Sequence, residues 1–319
     1  MTKAEIALIR SLADKKERYA QGLFVAEGEK LVAEIAASGF TVRKIYRVSE
    51  EARTPAGADT AAGTSVSGAG AAAGTGKAAE GKGTDAIGTE GAKKSAAGSA
   101  GFQAEAARDG TARYAGPHRA DRNTGGTGAQ TETVSPKEME RISMLKTPAG
   151  VLALVEIPRY RAEPGPLGRE LTLALDNIQD PGNLGTIIRI ADWFGIRDIL
   201  CSESSADCFN PKVVQATMGA ITRVRVHYHS LEKTFAEAAS AGIPLYGTFL
   251  DGENIYHSGL SRGGILVMGS EGRGISPAIE ALITRRLYIP PYPAGEPSSE
   301  SLNVAVATAV ACSEFRRRM

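Results

Sequence analysis

Cysteine is nearly absent. Cys201, Cys208 and Cys312 are the only three in 319 residues, too few and too scattered for a disulfide framework or a zinc site, and a reducing cytoplasm is the compartment that fits. Histidine is almost as scarce, with four residues. His227 and His229 alternate onto one strand face but lack a third ligand, so they read as structural and no metal is expected. No run of about 18 apolar residues occurs, so no membrane span is indicated. The charged opening Met1-Thr2-Lys3-Ala4-Glu5 has no apolar signal-peptide core. Charge of one sign is lacking too: the net is +1, so any basic footprint for nucleic acid must be local.

Bulky apolar residues are missing from one long stretch. From residue 50 to 133, Ala, Gly, Thr and Ser dominate, and Ile87, Phe102 and Tyr114 are the largest of the few apolar side chains. Such a chain buries too little surface to offset its ordering entropy and reads as a disordered insertion. Arg108, Arg113, His118, Arg119 and Arg122 near its end can touch RNA weakly, but a soluble tether is the plainer reading.

What is present lies on either side. Residues 1–49 and 134–158 read as one small α/β domain that the insertion splits. Its pieces are a helix over 29–38 with the apolar stripe Leu31, Val32, Ile35 and Ala36, a strand over 42–48, a capped helix start at Ser135-Pro136 and a strand over 150–155. The charge run Lys15, Lys16 and Arg18 is expected on a solvated helix face. Beyond a connector, residues 167–319 alternate strand and helix: strands over 171–175, 198–201, 224–228, 244–249, 265–268 and 286–289, helices over 184–194, 211–218, 231–241, 277–283 and 302–317. This is an α/β pattern with a mainly parallel sheet, helices on both faces, and ligands expected at the carboxyl ends of the strands. No Gly-x-Gly-x-x-Gly follows the first of these strands, which argues against a dinucleotide site and the common Rossmann-type methyltransferase.

Three stretches stand at such strand ends. They are Asp176-Asn177-Ile178-Gln179-Asp180-Pro181-Gly182-Asn183-Leu184-Gly185, Met268-Gly269-Ser270-Glu271-Gly272-Arg273-Gly274-Ile275-Ser276, and Tyr288-Ile289-Pro290 leading to Ser301-Leu302-Asn303. Taken singly each has a plain structural reading, as a helix cap or a tight turn. In this order they resemble the three signature motifs of the SpoU (TrmH-type) branch of the SPOUT RNA 2′-O-ribose methyltransferases. Phe24-Val25-Ala26-Glu27-Gly28 likewise resembles the start of the small, L30e-like RNA-binding domain that precedes the catalytic domain in many of these enzymes.

The resemblance implies a deep trefoil knot, with the loops after strands 265–268 and 286–289 clasping S-adenosylmethionine. It implies cofactor contacts at Met268, Gly269, Gly272, Ile289 and Leu302, and a catalytic set of Arg189, Asn183, Glu271, Ser301 and Asn303. Arg189, six residues beyond Asn183, is expected to hold the ribose or its phosphate and to stabilise alkoxide character, because a guanidinium is a poor proton acceptor. Its structural alternative is a surface pair with Asp192 at i+3. The implied activity is methyl transfer to a ribose 2′-hydroxyl of structured RNA, ribosomal RNA ahead of transfer RNA, by a cytoplasmic homodimer. The alternative is a non-catalytic RNA-binding protein on the same scaffold. One departure stands out: the Pro-rich stretch over 291–300 is longer than in relatives and is expected to bulge outward or reshape the cofactor mouth.

Deleting residues 55 to 130 is expected to leave the melting temperature and cofactor affinity nearly unchanged. A large loss of unfolding cooperativity in calorimetry would refute the tether reading.

Overall fold

Helix starts are written in local side chains. Thr2 caps α1 (Lys3–Ser11) and Ser135 caps α4 (Pro136–Ile142), each in a reciprocal capping box with the glutamate three residues on, Glu5 or Glu138. Asp14 caps α2 (Lys15–Gln21), which stops at the left-handed Gly22. The computed structural model describes residues 1–49, 129–160, 167–293, 296 and 299–317. The greater part of the segment read as an insertion lies outside them.

The small domain is a four-stranded sheet in the order β1 (Leu23–Glu27), β4 (Val151–Glu156), β2 (Val42–Val48), β3 (Gln130–Val134). Only the β2–β3 pair is parallel. Strand periodicity divides its core in two. Val25, Tyr46, Val48, Leu152 and Leu154 pack with Ile6, Ile9, Met139 and Ile142 of α1 and α4. Phe24, Ala26, Val151, Ala153 and Val155 face the other way, into a cluster shared with the second domain. β3 begins at Gln130, inside the segment assigned above to the insertion. Its polar residues Gln130, Thr131, Glu132 and Thr133 gave no apolar alternation to read, and a deletion that spares the sheet ends before Gln130.

The large sheet has the order β7 (Arg225–Tyr228), β6 (Asp198–Cys201), β5 (Leu171–Asp176), β10 (Gly264–Gly269), β8 (Leu245–Phe249), β11 (Arg285–Tyr288), β9 (Glu253–Asn254). Every one of these pairings is parallel. One face presents Leu173, Leu175, Leu266 and Met268 to α5 (Pro181–Trp193), α6 (Pro211–Thr217) and α9 (Val304–Arg317). The other presents Ala174, Leu200, Ile265 and Val267 to α7 (Leu231–Ser240) and α8 (Pro277–Glu280). Gly185 is where α6 crosses α5: a Cβ there would lie 2.5 Å from the Ala216 Cβ and 2.7 Å from the Val213 carbonyl oxygen. The second glycine of the first motif is therefore a packing requirement.

The expected solvated face of α2 forms at Lys15 and Lys16, which are exposed, but not at Arg18. Arg18 is 1% exposed. Its Nε and Nη2 donate to Asp207 Oδ2 at 2.9 and 2.5 Å, and its Nη1 donates to the carbonyls of Leu12 and Ala13 at 2.8 Å each. Tyr19 Oη and the Phe209 N–H donate to the other carboxylate oxygen of Asp207. Phe24 stacks beside this pair on Phe209, ring centroids 5.0 Å apart. A short run of mixed charges does not disclose a partner that lies 189 residues away. Arg18→Ala is expected to destabilise folding by ~3–5 kcal/mol in urea titration, because it strands a buried carboxylate. A loss below about 1 kcal/mol would mean that the pair does not hold the domains together.

Candidate functional site

The three motifs meet at the carboxyl end of the large sheet. β5 ends in Asp176, a buried carboxylate paired in register with Gly269 of β10. Its Oδ2 accepts the Ser276 N–H at 2.7 Å and its Oδ1 accepts Asn177 Nδ2 at 2.9 Å. One acid thus ties the first motif to the far end of the second. Sequence reasoning passes over Asp176, although an acid closing an otherwise apolar strand was a visible signal.

Asn183, Glu271 and Asn303 form a closed triangle. Glu271 Oε1 accepts Asn183 Nδ2 at 3.0 Å, Asn303 Nδ2 at 2.5 Å and the Val304 N–H at 3.3 Å. Asn303 Nδ2 also donates to Asn183 Oδ1 at 2.9 Å. Both asparagines sit in helix starts. The Asn183 N–H donates to Asp180, the cap of α5, at 2.8 Å, and Asn303 Oδ1 caps α9 by accepting the N–H groups of Ala305 and Val306. The free N–H groups of a helix start need a side-chain oxygen, and Glu271 lies where the N-terminal ends of two helices favour negative charge. α9 begins at Val304 rather than at residue 302, and the cap is Asn303 alone.

Two cavities flank the triangle. A cleft of about 700 Å³ is lined by the ends of β8, β10 and β11 and by residues 299–302. Met268, Gly269, Gly272, Ile289, Leu302 and Ser301 all lie on its wall, so the five expected cofactor contacts do gather. A smaller pocket of about 310 Å³, lined by Gln179, Asp180, Asn183 and Glu271 among others, meets the cleft at Ser270–Arg273 and Val304. The cleft lies within the range of small-molecule sites. Leu250 and Leu302 stand on its wall 71% and 45% exposed, apolar surface that no core claims and that suits a flat aromatic ligand such as adenosine. Pro291, Ser299 and Glu300 of the Pro-rich stretch also line it. Residues 294, 295, 297 and 298 lie outside the described ones.

Arg189 does not join this set. It lies about 9 Å farther along α5 than Asn183, is exposed, and lines neither cavity of its own chain. Its expected structural partner is taken: Asp192 is held by Arg223, whose Nε donates to both carboxylate oxygens at 2.9 and 3.0 Å. Among the described residues Arg189 has no ion pair.

Gly269 and Gly272 differ in kind. A Cβ on Gly269 would meet the Gly274 carbonyl carbon at 2.1 Å and the Ile275 nitrogen at 2.2 Å. Close approach of a ligand is therefore not what demands glycine there; the loop folding back on its own strand is. Gly272 has nothing within 4 Å of a Cβ and lines both cavities.

The scarce residues sit away from the site. His227 is buried against Asp198, with Nε2 at 2.7 Å from Oδ1, and stacks on His229 at 6.1 Å. The three cysteines are buried, and burial pushes the Cys312 thiol up to about 12. Among the described residues no helix is long and apolar enough to cross a membrane.

A parallel α/β sheet with its cleft at the strand carboxyl ends defines a small-ligand-binding α/β domain. Residues 170–313 match the model of the SpoU rRNA methylase family, and residues 3–72 match an MRM3-like substrate-binding domain. A curated relative, the 23S rRNA (guanosine(2553)-2′-O)-methyltransferase RlmP of Bacillus subtilis, is 32% identical over 185 residues, covering 58% of this chain and 71% of its own length. A solved TrmH-family structure from Porphyromonas gingivalis is 34% identical, with a TM-score of 0.69 over 100% of this chain and 99% of its own. An AdoMet-bound rRNA methyltransferase from Sinorhizobium meliloti shares the fold at 23% identity, with a TM-score of 0.68 over 100% and 96% of the two chains. The chain belongs to the SpoU rRNA methylase family.

Gly272→Val is expected to keep the melting temperature within about 2 °C, because the added atoms meet open space, while S-adenosylmethionine binding in calorimetry falls at least tenfold. Undiminished binding would mean that the loop after β10 does not clasp the cofactor.

Proposed function

We propose that the protein transfers a methyl group from S-adenosylmethionine to a ribose 2′-hydroxyl of ribosomal RNA in the cytoplasm. One observation carries this reading: a part-apolar cleft and a smaller polar pocket adjoin along the shared lining Ser270–Arg273 and Val304, beside the Asn183–Glu271–Asn303 triangle. Methyl transfer to a hydroxyl needs two adjoining subsites, because the acceptor oxygen must sit about 3–3.5 Å from the methyl carbon and in line with the bond that breaks. The cofactor supplies an electrophilic methyl on a sulfonium. Met268, Ile289 and Leu302 would hold its adenosyl part, with main-chain groups of the same loops as polar partners. Asn183, Glu271 and Asn303, locked by mutual bonds, would orient the ribose, and Ser301 on the cleft wall would support it. RlmP acts on 23S rRNA, as its name states, which favours ribosomal over transfer RNA.

Arg189 belongs to the same reading through a second copy of the chain. Trp193, one turn from Arg189 on α5, is 85% exposed, and Val306 on α9 is 50% exposed. A homodimer joined through these two helices would cover both and carry Arg189 to the site at the interface, where it stabilises alkoxide character as the hydroxyl proton leaves. The trefoil knot and the L30e-like kinship of the small domain are further parts of the proposal. The loops following β10 and β11 are two walls of one cleft, as a knotted clasp requires.

A non-catalytic RNA-binding protein would give no heat with S-adenosylmethionine in calorimetry. Arg189→Ala is expected to leave cofactor affinity and melting temperature near wild type and to lower single-turnover methyl transfer to unmethylated ribosomal RNA by about 10²–10³-fold. Arg189→Lys is expected to restore little, since an ammonium lacks the planar fork that grips two oxygens. Near-normal transfer by the alanine variant would defeat the mechanism.

A further inference from the structure

Arg273 is the one cation among the described residues lining either cavity, and it lines both. Its backbone is fixed. The Ser270 N–H donates to the Gly274 carbonyl at 3.0 Å, the Gly274 N–H donates back at 2.8 Å, and the Arg273 N–H donates to Ser270 Oγ at 3.3 Å. Its guanidinium is exposed and, among the described residues, has no ion pair or hydrogen bond. The smaller pocket carries two carboxylates, Asp180 and Glu271. Asp180 accepts its cap contact on Oδ1, and Glu271 accepts from Asn183, Asn303 and Val304 on Oε1. A polyanion entering such a pocket meets like charge unless a cation stands at the opening.

We infer that Arg273 is a substrate-positioning residue that binds a phosphate of the target nucleotide and seats its ribose at the junction of the two cavities. The inference rests on the reading of the site as an RNA methyltransferase centre and goes beyond the residues that the family motifs assign. A guanidinium matches phosphate geometry with two parallel N–H donors. The tight turn presents it without ordering a loop at the moment of binding, so little entropy is lost. The cofactor's own carboxylate is the competing anion, since Arg273 also borders the large cleft.

The test uses the full-length protein and an unmodified 23S rRNA transcript. S-adenosylmethionine affinity is measured by calorimetry, transcript affinity across a salt series, and methyl transfer at steady state. Arg273→Ala is expected to leave cofactor affinity within about twofold and to weaken transcript binding about tenfold. The salt slope should fall by about 0.7–0.9, the value of one phosphate. The loss in kcat/KM should be carried by KM. Arg273→Lys should restore the slope but only part of the affinity. A tenfold loss of cofactor affinity with transcript binding unchanged would assign the guanidinium to the cofactor carboxylate and overturn the proposal, as would no change in either. If the wild type binds transcript but transfers no methyl, the enzymatic reading fails while the salt-slope contrast still decides Arg273. Failure of the wild type to bind the transcript sinks both.

Discussion

One carboxylate oxygen organises the candidate site. Glu271 Oε1 takes hydrogen bonds from Asn183 on α5, from Asn303 at the start of α9 and from the first backbone N–H of α9. Those donors come from segments 88 and 32 residues away, so the bonds close two long loops at once. A charged acceptor is suited to this because hydrogen bonds to ionised groups are about twice as strong as neutral ones. Two helix starts supply further positive potential. Asp176 performs the matching task one layer below, joining the end of β5 to Ser276. Without Glu271 the first and third motifs keep only the Asn303–Asn183 bond, and the second is tied to the first only through Asp176 and the sheet.

The same economy governs the junction between the domains. Arg18 and Asp207 are buried together, and every strong donor of the guanidinium is satisfied, two by carboxylate and one by main-chain carbonyls. A buried ion pair is weak evidence of stability, since desolvation can exceed the attraction. Its value here is orientation. An apolar contact such as Phe24 on Phe209 tolerates small rotations, whereas a fork of hydrogen bonds does not. Arg223 adds a second charged link, reaching Asp192 on α5 and Glu34 on α3 (Glu29–Ala36). The small domain is therefore set at a defined angle to the cleft.

Much of this was legible in the chain. Strands of alternating or continuous apolar residues in the second half were readable to within a residue or two. The gathering of Asn183, Glu271, Asn303 and the cleft residues followed from motif order, because a parallel sheet brings its strand ends to one edge. Three things were not legible, each for a physical reason. β3 is polar and recruited by pairing with β2, so it has no hydrophobic period. Arg18 is buried by a partner distant in sequence. Gly269 looked like a ligand-approach glycine, but its neighbours are its own loop, and a local string cannot distinguish a backbone that crowds a ligand from one that crowds itself.

The charge distribution sets a condition on any anionic substrate. The two cavities bear Asp180, Asp251, Glu271 and Glu300 against Arg273 alone among the described lining residues. Asp251 is offset by Arg286 at 2.5 Å, but the others face the openings without a neighbouring cation in the linings. A protein with a net charge of +1 has no diffuse positive field to compensate, so Arg273 is the cation that an anionic substrate meets at these openings. Arg189, on the exposed side of α5, lines neither cavity of its own chain. An anionic substrate entering either cavity therefore meets like charge unless it engages the Arg273 guanidinium.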